Sequence, residues 1–126
     1  MEKYFPKLDL VYFKMRAFTE AIQMQLCYGN VPYTYYMAWE YFEKSWPEMK
    51  KEIGFGQLPV LIVDNQTTIW QSGSIMRYTA KLANTLPANE EDRAIADAIF
   101  ESSQELFQPL NATINFKTGE EYEALK

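Results

Sequence analysis

Leu58-Pro59-Val60-Leu61-Ile62-Val63-Asp64-Asn65-Gln66-Thr67-Thr68-Ile69-Trp70-Gln71-Ser72 is the stretch that decides the fold. Pro59 to Asp64 and Thr67 to Trp70 are two β-like runs separated by Asn65-Gln66, the spacing of a hairpin, although Asn-Gln is weaker turn chemistry than Asn-Gly. Gln71-Ser72-Gly73-Ser74 then opens a helix with Ile75, Met76, Thr79 and Leu82 on one stripe. Upstream, Leu8 to Phe13 reads as a strand rich in β-formers. Ala17 to Cys27 changes to helical spacing, with Phe18, Ile22 and Leu26 four apart, and Tyr28-Gly29-Asn30 ends it. Pro32 to Trp39 is a second strand, crowded with tyrosines. Ser45-Trp46-Pro47-Glu48 starts a short helix, with Ser45 or Trp46 as its cap, that Gly54 and Gly56 interrupt. Downstream, Asn84 to Asn89 breaks the chain at Pro87, and a last helix runs from Glu90 to about Leu110 with Ile95, Ile99, Leu106 and Leu110 on one face. The order β-α-β-α-β-β-α, closing in a hairpin, predicts an α/β sheet of about four strands.

The chain has 126 residues, enough for one domain with a real core but tight for two. Hydrophobic residues make up 48% and charged residues 23%, a globular composition. The net charge of −5 argues against nucleic acid and anionic membrane surfaces, which need a cationic patch. There are no histidines, so a His-based triad and His-ligated zinc or haem are excluded. A single cysteine excludes an intramolecular disulfide and a Cys-rich centre, and the sequence offers no metal site. The apolar run Val60-Leu61-Ile62-Val63 is far short of the ~20 residues of a membrane span. The first residues, Met1 to Pro6, do not read as a secretory signal. Asn65-Gln66-Thr67 and Asn111-Ala112-Thr113 fit the glycosylation pattern by chance in a chain that reads as intracellular: cytoplasmic, or part of an organellar assembly.

Three features could carry chemistry. A proline opening a central-looking strand cannot donate to the ladder. Leu58-Pro59 is either an ordinary strand start or a cis peptide that turns the Leu58 backbone toward a ligand. Gln71-Ser72 stands at a helix start, where free N–H groups attract a carboxylate; Ser72 either helps to bind one or merely caps the helix. Tyr12 ends the first strand, at the edge where open α/β sheets gather ligands, but it is one tyrosine among nine. Cys27 reads as a small buried hydrophobe, and with no Cys-x-x-Cys dithiol redox chemistry is excluded.

In order along the chain these features form a pattern. The element order is that of the thioredoxin-like fold. Tyr12-Phe13-Lys14-Met15-Arg16-Ala17-Phe18-Thr19-Glu20-Ala21-Ile22 resembles the opening of sigma-type glutathione transferases, the prostaglandin D synthase-like class. Trp46-Pro47-Glu48-Met49-Lys50, then Phe55-Gly56-Gln57-Leu58-Pro59-Val60-Leu61, resembles their second helix and cis-proline loop. Asp64, Gln71-Ser72, Ile75, Arg77-Tyr78 and Asp97-Ala98-Ile99 continue it, and the resemblance spans about residues 8 to 110. It implies a thioredoxin-like, four-stranded mixed sheet with flanking helices over residues 1–86. Residues 87–126 would form the start of an all-helical domain, incomplete here.

The resemblance also implies a glutathione site. Tyr12 would donate a hydrogen bond to the glutathione sulfur and stabilise its thiolate. A free thiol ionises near ~8.5, and a hydrogen bond to a charged group is worth about 1.5–3 kcal/mol, or roughly one to two pKa units, enough to make the thiolate a major species at neutral pH. Leu58, beside cis-Pro59, would pair with the cysteinyl unit; Gln71 and Ser72 would hold the γ-glutamyl end; Trp46, Lys50 and Gln57 would hold the glycine carboxylate. Asp97 would reach the glutathione of a partner subunit, implying a homodimer. Two departures stand out. The family's Arg-Gly-Arg-Ala-Glu reads Arg16-Ala17-Phe18-Thr19-Glu20, so Phe18 replaces an arginine that helps activate the sulfur. Family members also continue through further helices that wall the electrophile site, whereas this chain stops at Lys126, leaving the Glu90–Leu110 stripe with little to cover it. The implied function is conjugation or isomerisation of a small apolar electrophile with glutathione. The alternative is a non-catalytic structural or interaction subunit of a larger assembly, favoured by the departures and by Tyr33, Tyr35, Tyr36 and Tyr41.

Overall fold

A computed structural model of the chain describes residues 4–110 and 120–124. The elements are β1 (Leu8–Tyr12), α1 (Ala17–Tyr28), β2 (Thr34–Met37), α2 (Ala38–Phe42), α3 (Trp46–Glu52), a 3-10 turn at Gly54–Gly56, β3 (Val60–Val63), β4 (Thr67–Trp70), α4 (Ser72–Ala83), α5 (Glu90–Leu110) and α6 (Glu120–Glu123). The strands form one mixed four-stranded sheet in the order β2-β1-β3-β4, the thioredoxin-like arrangement. β1 and β2 run parallel, with Tyr12 opposite Met37, whereas β3 is antiparallel to both β1 and β4. β1 is therefore central, and all five of its residues are buried.

Alternation along β1 divides the core in two. Leu8 and Leu10 face α1 and α4, packing with Ile22, Leu26, Leu61, Ile75 and Ala83. Val11 faces the other way, against Ala38 of α2, Met49 and Ile53 of the α3 segment, and Val60 and Ile62. Gln25 ties α1 to α4: its Nε2 donates to the Met76 carbonyl at 3.0 Å and to Thr79 Oγ1 at 2.8 Å, and its Oε1 accepts from Thr85 Oγ1 at 2.9 Å. Gly29 lets the two helices close, because a Cβ there would stand 2.5 Å from Ala83 Cα.

Three local expectations are corrected. The second strand stops at Met37, and Trp39 belongs to α2. β2 pairs with β1 alone, and β1 ends opposite Met37, so beyond it the backbone has no ladder to join and forms its own helical hydrogen bonds. The hairpin turn centres on Asp64-Asn65 rather than Asn65-Gln66. The Gln66 N–H donates to the Val63 carbonyl at 3.0 Å, and Asp64 and Asn65 take φ of 52° and 57°. Asp and Asn tolerate that left-handed backbone because their short side chains bond locally, and Gln does not share the advantage. Cys27 is exposed, not buried. The buried face of α1 follows Thr19, Ile22 and Leu26, and Cys27, one residue past Leu26, is rotated ~100° off that face.

The chain divides into two compact units, Met1–Leu86 and Pro87–Lys126. In the second, Asn89 opens α5 by accepting the Asp92 N–H on Oδ1 at 2.7 Å, and Arg93 Nε donates to the Pro87 carbonyl at 2.7 Å. Ile95, Ile99 and Leu106 along α5 are exposed. Among the described residues no helix is long and apolar enough to cross a membrane, and no group of His, Cys, Asp or Glu could hold a metal ion.

Candidate functional site

Tyr12 is the last residue of β1 and only 4% exposed. Its phenol lies against the start of α1, where the Phe18 backbone N–H donates to its oxygen. Burial pushes its ionisation above the ordinary tyrosine value, against the opposing pull of that N–H, and nearby Tyr35 adds to the rise. The hydroxyl therefore stays protonated through neutral pH, a buried O–H donor whose oxygen is already fixed.

The segments around it converge through packing. The Phe13 ring lies 5.4 Å from Tyr12 and meets Trp46 edge-on at 5.0 Å, which sets the start of α3 beside the end of β1. α3 begins at Trp46, and of the two candidate caps the structure selects Ser45, whose N–H and hydroxyl both donate to Glu48 Oε2, at 3.1 and 2.7 Å. The Leu58-Pro59 bond is cis, Pro59 is buried, and Leu58 packs with Trp46 against the second core cluster. Lys50 is exposed on α3 and its backbone lies under Gly56, where a Cβ would stand 3.3 Å from the Lys50 carbonyl. Gln57, next in the chain, accepts a hydrogen bond on Oε1 from Gln71 Nε2 at 3.2 Å. Gln71 stands at the head of α4 with φ 69° and ψ 125°, an unusual backbone for a residue with a Cβ, and half-buried Ser72 begins the helix.

The structure thus links Tyr12 to Trp46 through Phe13, Trp46 to Leu58 through the core, Lys50 to the Gly54–Gly56 turn, and Gln57 to Gln71 beside Ser72. Asp97 lies on α5 in the second unit, half-buried. Sequence reasoning missed Phe13 and Tyr35 as parts of this corner. Tyr35 is one of nine tyrosines, and only the register that sets it opposite Leu10 could have singled it out. A cavity of about 390 Å³ opens beside the end of β1, bounded by Lys14, Met15 and Arg16 of the β1–α1 turn, Tyr35 and Met37 of β2, and Glu40 of α2.

Comparison with known proteins identifies the family. The glutathione S-transferase N-terminal domain matches residues 8–81. The chain belongs to the glutathione S-transferase family. It is 37% identical over 94 residues to glutathione S-transferase 4 of Caenorhabditis elegans, covering 75% of this chain and 44% of that protein. It is 32% identical over 97 residues to human hematopoietic prostaglandin D synthase, covering 77% and 47%. The chain therefore spans about half the length of the curated relatives it matches. A solved monomeric glutathione S-transferase of the hookworm Necator americanus superposes with a TM-score of 0.72 at 29% identity, covering 94% of this chain and 58% of that one.

Proposed function

We propose that this chain binds glutathione at the corner formed by Tyr12, Trp46, Leu58, Gln71 and Ser72, and activates its thiol for attack on, or isomerisation of, a small apolar electrophile. One observation carries the reading: a buried tyrosine hydroxyl, kept protonated by its surroundings and held through its oxygen by the Phe18 N–H, at the C-terminal end of the central strand. A neutral O–H donor is what a sulfur anion needs. The peptide would lie along the loop ends, with Gln71 and Ser72 toward its γ-glutamyl end and Trp46, Lys50 and Gln57 toward its glycine carboxylate. Asp97 is proposed to contact the glutathione of a second copy. The electrophile would enter by the cavity at the β1–α1 turn, where Met15 and Met37 supply apolar surface.

The test is a glutathione titration followed by the fluorescence of Trp46 and Trp70, with thiolate absorbance read in parallel. Saturable quenching that is lost in Ser72→Ala, with a thiolate signal at neutral pH lost in Tyr12→Phe, is the expected result. Removing the Tyr12 hydroxyl should raise the bound thiol's pKa by roughly one to two units. A folded protein that gives no response up to tens of millimolar glutathione would carry the family fold without its site, and the non-catalytic alternative would then stand.

A further inference from the structure

We propose that Tyr35 is a positioning residue for Tyr12: its hydroxyl joins the residue after Tyr12 to the first turn of α1 and so fixes the direction of the Tyr12 O–H. The inference rests on Tyr12 acting on the glutathione sulfur. Tyr35 sits in β2 with its Cα opposite Leu10, on the face of the sheet that Leu10 and Tyr12 share. Its hydroxyl donates to the Phe13 carbonyl, which also accepts the Met15 N–H at 2.8 Å, so both lone pairs of that carbonyl are used and the chain leaving Tyr12 is held on two sides.

The other end of the link is Thr19. Its hydroxyl lies beside the Tyr35 oxygen and donates to the Arg16 carbonyl at 3.0 Å. Thr19 is fully buried and adjoins Phe18, whose N–H holds the Tyr12 oxygen. One hydroxyl therefore spans the two points that orient the phenol, the backbone just beyond it and the N–H that it accepts. The arrangement matters here because residue 18 is a phenylalanine and brings no cation of its own to the sulfur. Thiol activation at the site then draws on the aim of the Tyr12 O–H and on the N-terminal end of α1 behind it, together with the field of Lys14 and Arg16 in the turn. The charged groups facing this corner are Lys14 and Arg16 of the turn, Glu20 of α1 and Glu40 of α2, all lining the same cavity as Tyr35.

The experiment titrates the ionisation of glutathione bound to the whole chain, by thiolate absorbance against pH. It compares the unaltered protein with Tyr35→Phe and Tyr12→Phe, with glutathione affinity measured separately by tryptophan fluorescence. Tyr35→Phe keeps the ring and its packing. The expected result is affinity within about twofold of the unaltered protein and a bound-thiol pKa higher by about half to one unit, which is roughly three- to tenfold less thiolate below that pKa. Loss of packing alone would weaken binding without moving the ionisation. Thr19→Val, which cuts the link at its other end, should move the pKa in the same direction and covers the case in which Tyr35→Phe folds poorly. A thiol pKa unchanged in both variants while Tyr12→Phe raises it overturns the role of Tyr35 and leaves Tyr12 standing. If the unaltered chain binds glutathione without lowering its thiol pKa, or Tyr12→Phe leaves that pKa unmoved, the reading of Tyr12 fails and that of Tyr35 falls with it.

Discussion

Gln71 shows how a functional residue can be read from its backbone. At φ 69° and ψ 125° it sits where a Cβ is crowded, and such strain, of order 1–3 kcal/mol, persists only where the surroundings impose it. The side chain is also engaged, donating to Gln57 Oε1 at the mouth of the proposed site. Gln71→Gly should therefore separate stability from binding. Its urea midpoint should rise by the equivalent of about 1 kcal/mol, because glycine has no Cβ to crowd. Its glutathione affinity should fall about tenfold or more, because an amide facing a charged ligand group is gone. A variant that binds as before would remove Gln71 from the site. The backbone of Gln71 was not legible in the sequence, which offered Gln71-Ser72 only as a helix start. Ala17 gives a second case. It stands where the family motif has glycine and adopts φ 28°, a conformation that favours glycine and that residue types alone did not reveal.

Elements were legible wherever their pattern was local. The hairpin, α4 and α1 were each marked by a change of period, and α3 by its serine cap and Pro47, because caps and periodicity act within a few residues. The end of β2 was not, since it depends on where β1 stops, and that is set by a strand more than twenty residues away. β1 also holds a feature that strand propensity argues against: Asp9, 2% exposed in the middle of the sheet. Its Oδ2 is 3.1 Å from Lys7 Nζ, whereas its Oδ1 is buried with no hydrogen-bond partner. Lys7 is half-exposed and also reaches Asn65 Oδ1 at 2.7 Å, so it keeps a partner and its water if Asp9 is removed. The imperfectly satisfied carboxylate costs more than its ion pair returns. Asp9→Val, with a better strand former against Ile62, should raise the urea midpoint by the equivalent of about 1–3 kcal/mol with an unchanged slope. A loss of stability would mean that the carboxylate is better satisfied than its surroundings show, with the nearby Tyr41 hydroxyl the first donor to examine.

For the whole molecule, charge and titration set the limits of stability. With no histidine, no imidazole changes charge between pH 6 and pH 9, so stability should be nearly flat across that range. The alkaline side differs. Tyr12, Tyr33, Tyr35, Tyr41 and Tyr78 all have raised ionisation, in each case chiefly because burial disfavours the anion, and Tyr33 is pushed up to about 12. In the unfolded chain the same groups ionise near ~10. Above that pH the unfolded chain has released protons that the native chain still holds, so the native state binds more protons and stability falls as pH rises. The contribution is complete below pH 10 and disappears as pH passes through the native values, toward about 12 for Tyr33. Lys7 acts in the same direction, because its hydrogen bond to Asp9 raises it above the usual lysine value and that stabilisation also fades in strong base. Glu48 sets the opposite limit. The Ser45 hydroxyl and N–H hold its carboxyl below the usual value, so the cap of α3 weakens as pH falls through the acid range. Tyr33, Tyr35 and Tyr41, which the sequence groups with Tyr36 as a surface for partners, are each half-buried in the fold. Urea unfolding followed at intervals from pH 6 to 12 should therefore give a plateau and then a decline beginning near pH 10, with the tyrosinate absorbance of the five buried and half-buried phenols of raised ionisation, as distinct from exposed Tyr4 and Tyr28, appearing together with loss of structure. If the phenols of these five residues all ionise near pH 10 while the chain stays fully folded, burial does not hold them protonated, and the alkaline limit assigned to them falls.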